Sequence, residues 1–314
     1  MRTCIVAVIF SSFLLLSACG SEPAPDFSRA VASPTPASQV FDGARAFTYL
    51  TAQMDFGARP SGSKELRATG DYILAQLKES KWATVTQEFV YRNVPIRNII
   101  AKAAEGRGPV IILGAHYDTR VRADQDKQRP DQPVPGANDA ASGVAVLLEL
   151  ARTLDVSKLR NEVWLAFFDA EDNGELPGCI VWPNPCDNNK AWPWSVGATY
   201  VAEHLTIKPD AVIIVDMIGD ADQNIYYEQN SDKQLQEQIW GIAARLGYSK
   251  QFIAEYKWSM DDDHTPFLKK GIRAVDIIDF DYPYWHTIED TTDKNSPASL
   301  ERVGRTLEVW LEGR

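Results

Sequence analysis

The chain has 314 residues, 45% of them hydrophobic and 24% charged, with 43 acidic against 32 basic side chains and a formal net charge of −11. This is the composition of a globular protein with enough chain for a large core, and it excludes a collagen-like or wholly disordered polymer. The acidic balance argues against a nucleic-acid partner, and beyond the N-terminal stretch no apolar run approaches membrane-spanning length.

The chain opens MRTCIVAVIFSSFLLLSACG. Arg2 gives a short positive region, Cys4 to Leu16 an apolar one, and Leu16-Ser17-Ala18-Cys19 a small-residue processing site. Residues 1–18 therefore read as a signal peptide, with an uncleaved anchor helix as the bland alternative. The four residues ending at Cys19 resemble a bacterial lipobox, which implies lipid modification of Cys19 in an exported, periplasmic or cell-surface protein. A membrane would then be touched only through that anchor. Residues 19–41 carry Pro23, Pro25, Pro34 and Pro36 among Ser and Ala and read as a flexible tether. Residues 42–314 remain as a single domain. Export leaves Cys179 and Cys186, which an oxidising compartment favours as a small loop disulfide. Two free thiols are the alternative; no further Cys or nearby His completes a metal site there.

From about residue 42, apolar runs alternate with helical patterns. Residues 43–80 read as helical, interrupted by the turn Gly57-Ala58-Arg59-Pro60-Ser61-Gly62. Strands are expected at 84–92, 97–103, 109–114, 162–168, 211–216 and 272–278, and helices at 140–154, 195–205, 232–246 and 297–312. Short Val/Ile-rich runs separated by helices point to an α/β three-layer sandwich, its mixed, largely parallel central sheet flanked by helices. The Pro-rich stretch from Asn173 to Pro193 reads as a long loop beside a strand end, a position where substrate pockets form.

Four strand ends carry charged or imidazole groups. They are Gly114-Ala115-His116-Tyr117-Asp118, Asp169-Ala170-Glu171-Asp172, Asp216-Met217-Ile218-Gly219 and Tyr284-Trp285-His286-Thr287. A fifth group, Gly136-Ala137-Asn138-Asp139, sits just before a helix. One such Asp alone is a cap or turn residue. Five together mark a site at the carboxyl ends of an α/β sheet. Of the four histidines, His204 lies on a helix and reads as a surface or packing residue, whereas His116 and His286 sit at strand ends near carboxylates. Mixed imidazole and carboxylate ligands suit zinc, and an open coordination position makes it a Lewis acid. Glu171 and Asp172 are neighbours that point in different directions, so one can hold metal while the other moves protons.

These runs, with GARPSGS at 57–63, GANDAASGVAVLLELA, FFDAED, DMIG, Asp262-Asp263-His264-Thr265-Pro266-Phe267 and WHT followed by Glu289-Asp290, resemble peptidase family M28. Within it the likeness is to the animal-type glutaminyl-peptide cyclotransferases, over roughly residues 44–312. The resemblance implies a zinc aminopeptidase-like fold with Asp139, Asp172 and His286 as metal ligands and Glu171 as general acid/base. In the two-zinc aminopeptidases of the family, His116 and Asp216 would hold the second ion, with Asp118 orienting His116. In the one-zinc cyclotransferases, Asp216 and Asp262 would instead form an acidic network with Glu171. Trp285 directly before His286, and Asp262 in its acidic run, favour the cyclotransferase. Trp285 would then wall a pocket for the N-termini of peptides or proteins, where glutamine becomes pyroglutamate with loss of ammonia. One of Trp182, Trp192 or Trp194 would cover the substrate. Two departures stand out: Asp172 where many relatives have Glu, and Asp276 where the animal enzymes have a pocket His. A non-catalytic binder on a degenerate peptidase fold would be expected to lose Glu171 or His286, and both are kept.

Overall fold

The structure, a computed structural model, describes residues 40–176 and 191–313. The expected signal peptide, Cys19, all but the end of the tether, Trp182 and the Cys179–Cys186 pair lie outside the described residues.

Six strands form the main sheet: β1 (Ala83–Tyr91), β2 (Val94–Ala103), β3 (Val110–His116), β4 (Glu162–Phe168), β5 (Ala211–Asp216) and the final strand of the chain (Ala274–Ile278). Two short strands, β6 (Ile225–Tyr227) and β7 (Phe252–Tyr256), pair with each other, which makes that final strand β8. The order is β1-β2-β4-β3-β5-β8; β1, β2 and β4 run antiparallel to their neighbours in turn, while β4, β3, β5 and β8 are parallel. The parallel strands are buried along nearly their whole length, which is why they appear as unbroken apolar runs. β1 is the open edge, with Val85 and Val90 exposed.

Helices cover both faces, giving the expected three layers. On one side α1 (Gly43–Met54), α2 (Lys64–Glu79), α3 (Ala141–Thr153), α5 (Lys233–Arg245) and α7 (Pro297–Glu312) build the larger core. On the other, α4 (Val196–His204) and the short α6 (Thr265–Lys269) pack Val201 and Phe267 against Ile112, Trp164 and Ile214. The apolar-all-round sequence of α3 fits its position: every residue except Arg152 is buried. A Cβ at Gly143 would strike the Val215 carbonyl, so this glycine lets the first turn of α3 lie directly on the end of β5. That contact brings Asp139, just ahead of α3, beside Asp216. β6, β7 and α6 were not anticipated, because three to five residues are too few to show a period. Among the described residues no helix is long and apolar enough to cross a membrane.

Candidate active site

His116 ends β3 and Asp216 ends β5, adjacent parallel strands, so both side chains emerge at one edge of the sheet. His116 Nε2 lies 3.1 Å from Asp139 Oδ1 and 3.2 Å from Asp216 Oδ1. On the other side of Asp139, His286 Nε2 lies 3.0 Å from Asp172 Oδ1 and 3.8 Å from Asp139 Oδ2. Asp139 thus presents one oxygen to each imidazole. Within each trio, His116–Asp139–Asp216 and Asp139–Asp172–His286, the donor atoms lie within 4.8 Å of one another, and all five residues are buried. Burial raises the Asp172 carboxyl to about 6, with Asp139 adding to the effect and His286 opposing it. Burial likewise raises Asp216 to about 7, against the pull of His116. Asp172 Oδ2 is buried without a hydrogen-bond partner. Buried carboxylates this close call for a cation among them, and the set of two carboxylates and one imidazole fits zinc.

The main chain of these residues is itself gripped. Asp118 accepts the N–H of Glu171 at 3.0 Å and of Asp172 at 3.3 Å, accepts the Ser61 hydroxyl at 3.2 Å, and lies 3.6 Å from His116 Nδ1. Asp290 does the same for Asn138 and Asp139. Asp124 lies 3.4 Å from His286 Nδ1, the side of a metal-binding imidazole where a carboxylate commonly sits. Arg120 pairs with Asp124 at 2.6 Å and donates to the Asp172 carbonyl at 3.1 Å. Arg59, fully buried, donates to the carbonyls of Gly57, Pro135 and Gly136, and burial lowers its guanidinium to about 10. Gly136 is left-handed there, and a Cβ would meet Thr119 and the Asp139 carbonyl. Of the nine non-glycine residues with positive φ among the described residues, three adjoin or belong to the site: Ala170 before Glu171, Met217 after Asp216, and His286 itself. Such conformations cost about 1–3 kcal/mol each and concentrate at functional sites. The Asp139–Ala140 peptide is cis.

Glu171 and Asp262 join Asp139, Asp172, Asp216 and His286 around a cavity of about 160 Å³, walled by Trp194, Phe280 and Trp285. Burial holds the Glu171 carboxyl well above the usual range; His116 opposes this, while Asp262, Asp263 and Asp172 reinforce it. The Trp285 ring stacks on His286 at 3.7 Å between centroids and meets Phe280 edge-on at 4.9 Å. Of the candidate covering tryptophans, Trp194 lies 6.1 Å from His286, whereas Trp192 is buried against Tyr91. His204 is exposed at the end of α4, stacked on Tyr200. Asp276 is fully buried and lies outside the pocket lining. A larger cavity of about 460 Å³ beside α2 includes only one of the strand-end carboxylates, Asp169, and no imidazole.

All the expected site residues therefore converge. The supporting roles of Asp124, Arg120, Arg59 and Asp290 were missed. Arg59 and Asp290 stand inside recognisable runs, but Asp124 and Arg120 gain their roles only when their loop folds over Asp172 and His286.

An α/β sheet whose carboxyl edge carries two buried imidazole–carboxylate trios sharing one aspartate defines a metal-dependent enzyme of the zinc-exopeptidase fold. Residues 98–311 match peptidase family M28, and the chain belongs to that family. It is 25% identical over 280 residues to glutaminyl-peptide cyclotransferase of Drosophila melanogaster, covering 76% of this chain and 72% of the relative. A glutaminyl cyclase of Bacteroides thetaiotaomicron, solved bound to N-acetylhistamine, superposes with a TM-score of 0.79 at 30% identity, covering 88% of this chain and 100% of the other. A structure from the same organism, described as a leucine aminopeptidase precursor, gives the same TM-score and identity, covering 88% of this chain and 99% of its own.

Proposed function

We propose that this chain is a zinc-dependent glutaminyl-peptide cyclotransferase that converts the N-terminal glutamine of peptides to pyroglutamate with release of ammonia. The observation that carries this reading is the pocket. At about 160 Å³ it is smaller than the roughly 300–1,000 Å³ of drug-sized sites. It has room for one side chain above the Asp139–Asp172–His286 trio and Glu171, under two indoles. The names of the cyclotransferase relatives support the same activity.

Zinc held by Asp139, Asp172 and His286 would supply Lewis acidity toward the side-chain amide carbonyl of the glutamine. The substrate's α-amine attacks that carbon, closing a five-membered lactam. Nucleophile and electrophile belong to one molecule, so the pocket only has to hold the folded conformer. Glu171 takes a proton from the amine as the new C–N bond forms and delivers one to ammonia as the old C–N bond breaks. Asp216 and Asp262 hold the acidic network around Glu171. Trp285 and Trp194 flank the space for the substrate and would limit the access of water to the glutamine amide, which favours attack by the amine. The lipobox-like residues ending at Cys19 support a membrane-anchored enzyme outside the cytoplasm, acting on exported peptide N-termini.

A second reading rests on the His116–Asp139–Asp216 trio, the set expected of a second metal. A two-zinc aminopeptidase would use Glu171 to activate water against the first peptide bond. One measurement separates the two: zinc per chain together with products from glutaminyl peptides. One zinc, ammonia and pyroglutamate support the cyclotransferase. Two zincs and free amino acids overturn it.

A further inference from the structure

The catalytic pocket has room for one side chain, so the rest of a peptide substrate has to leave it past the two indoles. Trp194 and Trp285, which wall that pocket, also line a second cavity of about 430 Å³. Trp194 is a fixed partition between the two. A Cβ at Gly174 would strike the indole, so glycine lets the ring lie directly against the main chain there. Arg120 holds the same corner: its guanidinium lies 5.1 Å from the centre of the Trp194 ring and donates to the Gly174 carbonyl at 3.3 Å.

The charges of this outer cavity do not cancel. Arg120 is committed to Asp124, in hydrogen bonds of 2.6 and 3.0 Å. That pair leaves Arg122 against Asp131 and Glu175, a surplus of one negative charge among the described lining residues. Asp131 and Glu175 are exposed, while Leu176 on the same wall is buried. The cavity thus offers apolar surface, from Leu176, Pro130 and the indoles, with acid at its rim. A side chain with a long aliphatic stem and a cationic end fits both parts, its stem on the apolar walls and its charge in water beside the carboxylates. An acidic side chain meets a surplus of its own sign.

We propose that this outer cavity receives the second residue of the substrate and selects a basic side chain, Lys or Arg, over an acidic one. The proposal rests on the cyclotransferase reading, because it places the N-terminal glutamine in the catalytic pocket. Asp131 and Glu175 are then specificity residues that take no part in the chemistry.

Peptides of the form Gln-Xaa-Ala with an amidated C-terminus, Xaa being Lys, Ala or Glu, test it on the full chain. The wild type is expected to turn over the Lys peptide with kcat/KM about fivefold above the Glu peptide, with Ala between them. That ratio falls towards one at high salt. Reversing the rim charge with Asp131→Lys and Glu175→Lys together is expected to invert the order, while the Ala peptide stays within about twofold of wild type. Should the double variant fail to fold, Asp131→Asn and Glu175→Gln each shrink the ratio by themselves. Equal kcat/KM for the Lys and Glu peptides in the wild type overturns the proposal. So does a preference for Lys that survives charge reversal, which would place the second residue in another cavity. If the wild type releases free amino acids in place of ammonia, the cyclotransferase reading fails. The same three peptides, scored by hydrolysis, still decide the role of the outer cavity.

Discussion

Asp290 holds Asp139 by its main chain. Its two carboxylate oxygens accept the N–H groups of Asn138 at 2.8 Å and of Asp139 at 3.2 Å, and Tyr282 donates its hydroxyl to the first oxygen at 2.7 Å. Asp290 follows His286 by four residues, so one short loop carries one ligand and clamps the backbone of another. Asp118 repeats the device at Glu171 and Asp172. The carboxylates meant for the metal are thus aimed by other carboxylates that never reach it.

Replacing Asp290 by Ala leaves two buried N–H groups and the Tyr282 hydroxyl without their acceptor, at about 1–3 kcal/mol for each group. The unfolding temperature is expected to fall, and zinc affinity to drop about 10–100-fold, the usual loss when a ligand's support is removed. Competition with a metal chelator measures the affinity. An Asp290→Ala protein that keeps wild-type zinc affinity would show that the clamp has no bearing on the metal.

Glu171 is the proposed proton carrier, and Glu171→Gln keeps its shape while removing its basicity. Cyclisation of a glutaminyl peptide is expected to slow about 10²–10⁴-fold in kcat, with zinc content and KM nearly unchanged. Rapid turnover by this variant would assign the proton transfer to another group, with Asp216 and Asp262 the nearest candidates.

The frame of the fold was legible because parallel strands buried on both faces leave apolar runs, and 162–168 and 211–216 coincide with β4 and β5. The ligands were legible as polar groups at the ends of those runs. Residues whose role depends on the path of a loop were not. Trp192 and Trp194 are two positions apart, yet one packs under Tyr91 and the other faces His286. Asp276 interrupts the apolar strand Ala274–Ile278, and only the packing of α6 against β8 brings it near Asp262 and His264.

Asp279, directly after β8, bears on stability and not on the reaction. It is buried, and accepts the N–H of Asn224 at 2.7 Å and of Asp281 at 3.1 Å. Burial, reinforced by Asp220 and Asp281, raises its carboxyl from 3.8 to about 7. An acid with a raised folded-state pKa binds its proton more tightly folded than unfolded. Its contribution to stability is therefore complete below the unfolded value and lost as pH climbs through the folded one. Between about pH 5 and pH 8 the unfolding midpoint is expected to fall further in the wild type than in Asp279→Asn, which cannot ionise. Parallel curves for the two proteins would contradict the assignment.

Trp285 is predicted to act on substrate binding and on water. Its ring lies over His286 at 3.7 Å and 25°, and against Phe280 at 65°, forming a pocket wall that does not move charge or protons. Contacts of that kind stabilise bound substrate and transition state alike, so Trp285→Ala is expected to raise KM about tenfold with a smaller change in kcat. Trp285→Phe, which keeps an aromatic face, recovers most of the loss. Opening the wall also admits water to the glutamine amide. Part of the product is then N-terminal glutamate, which mass spectrometry separates from pyroglutamate by one water. A Trp285→Ala enzyme with wild-type KM and no glutamate product would place the substrate elsewhere in the cleft.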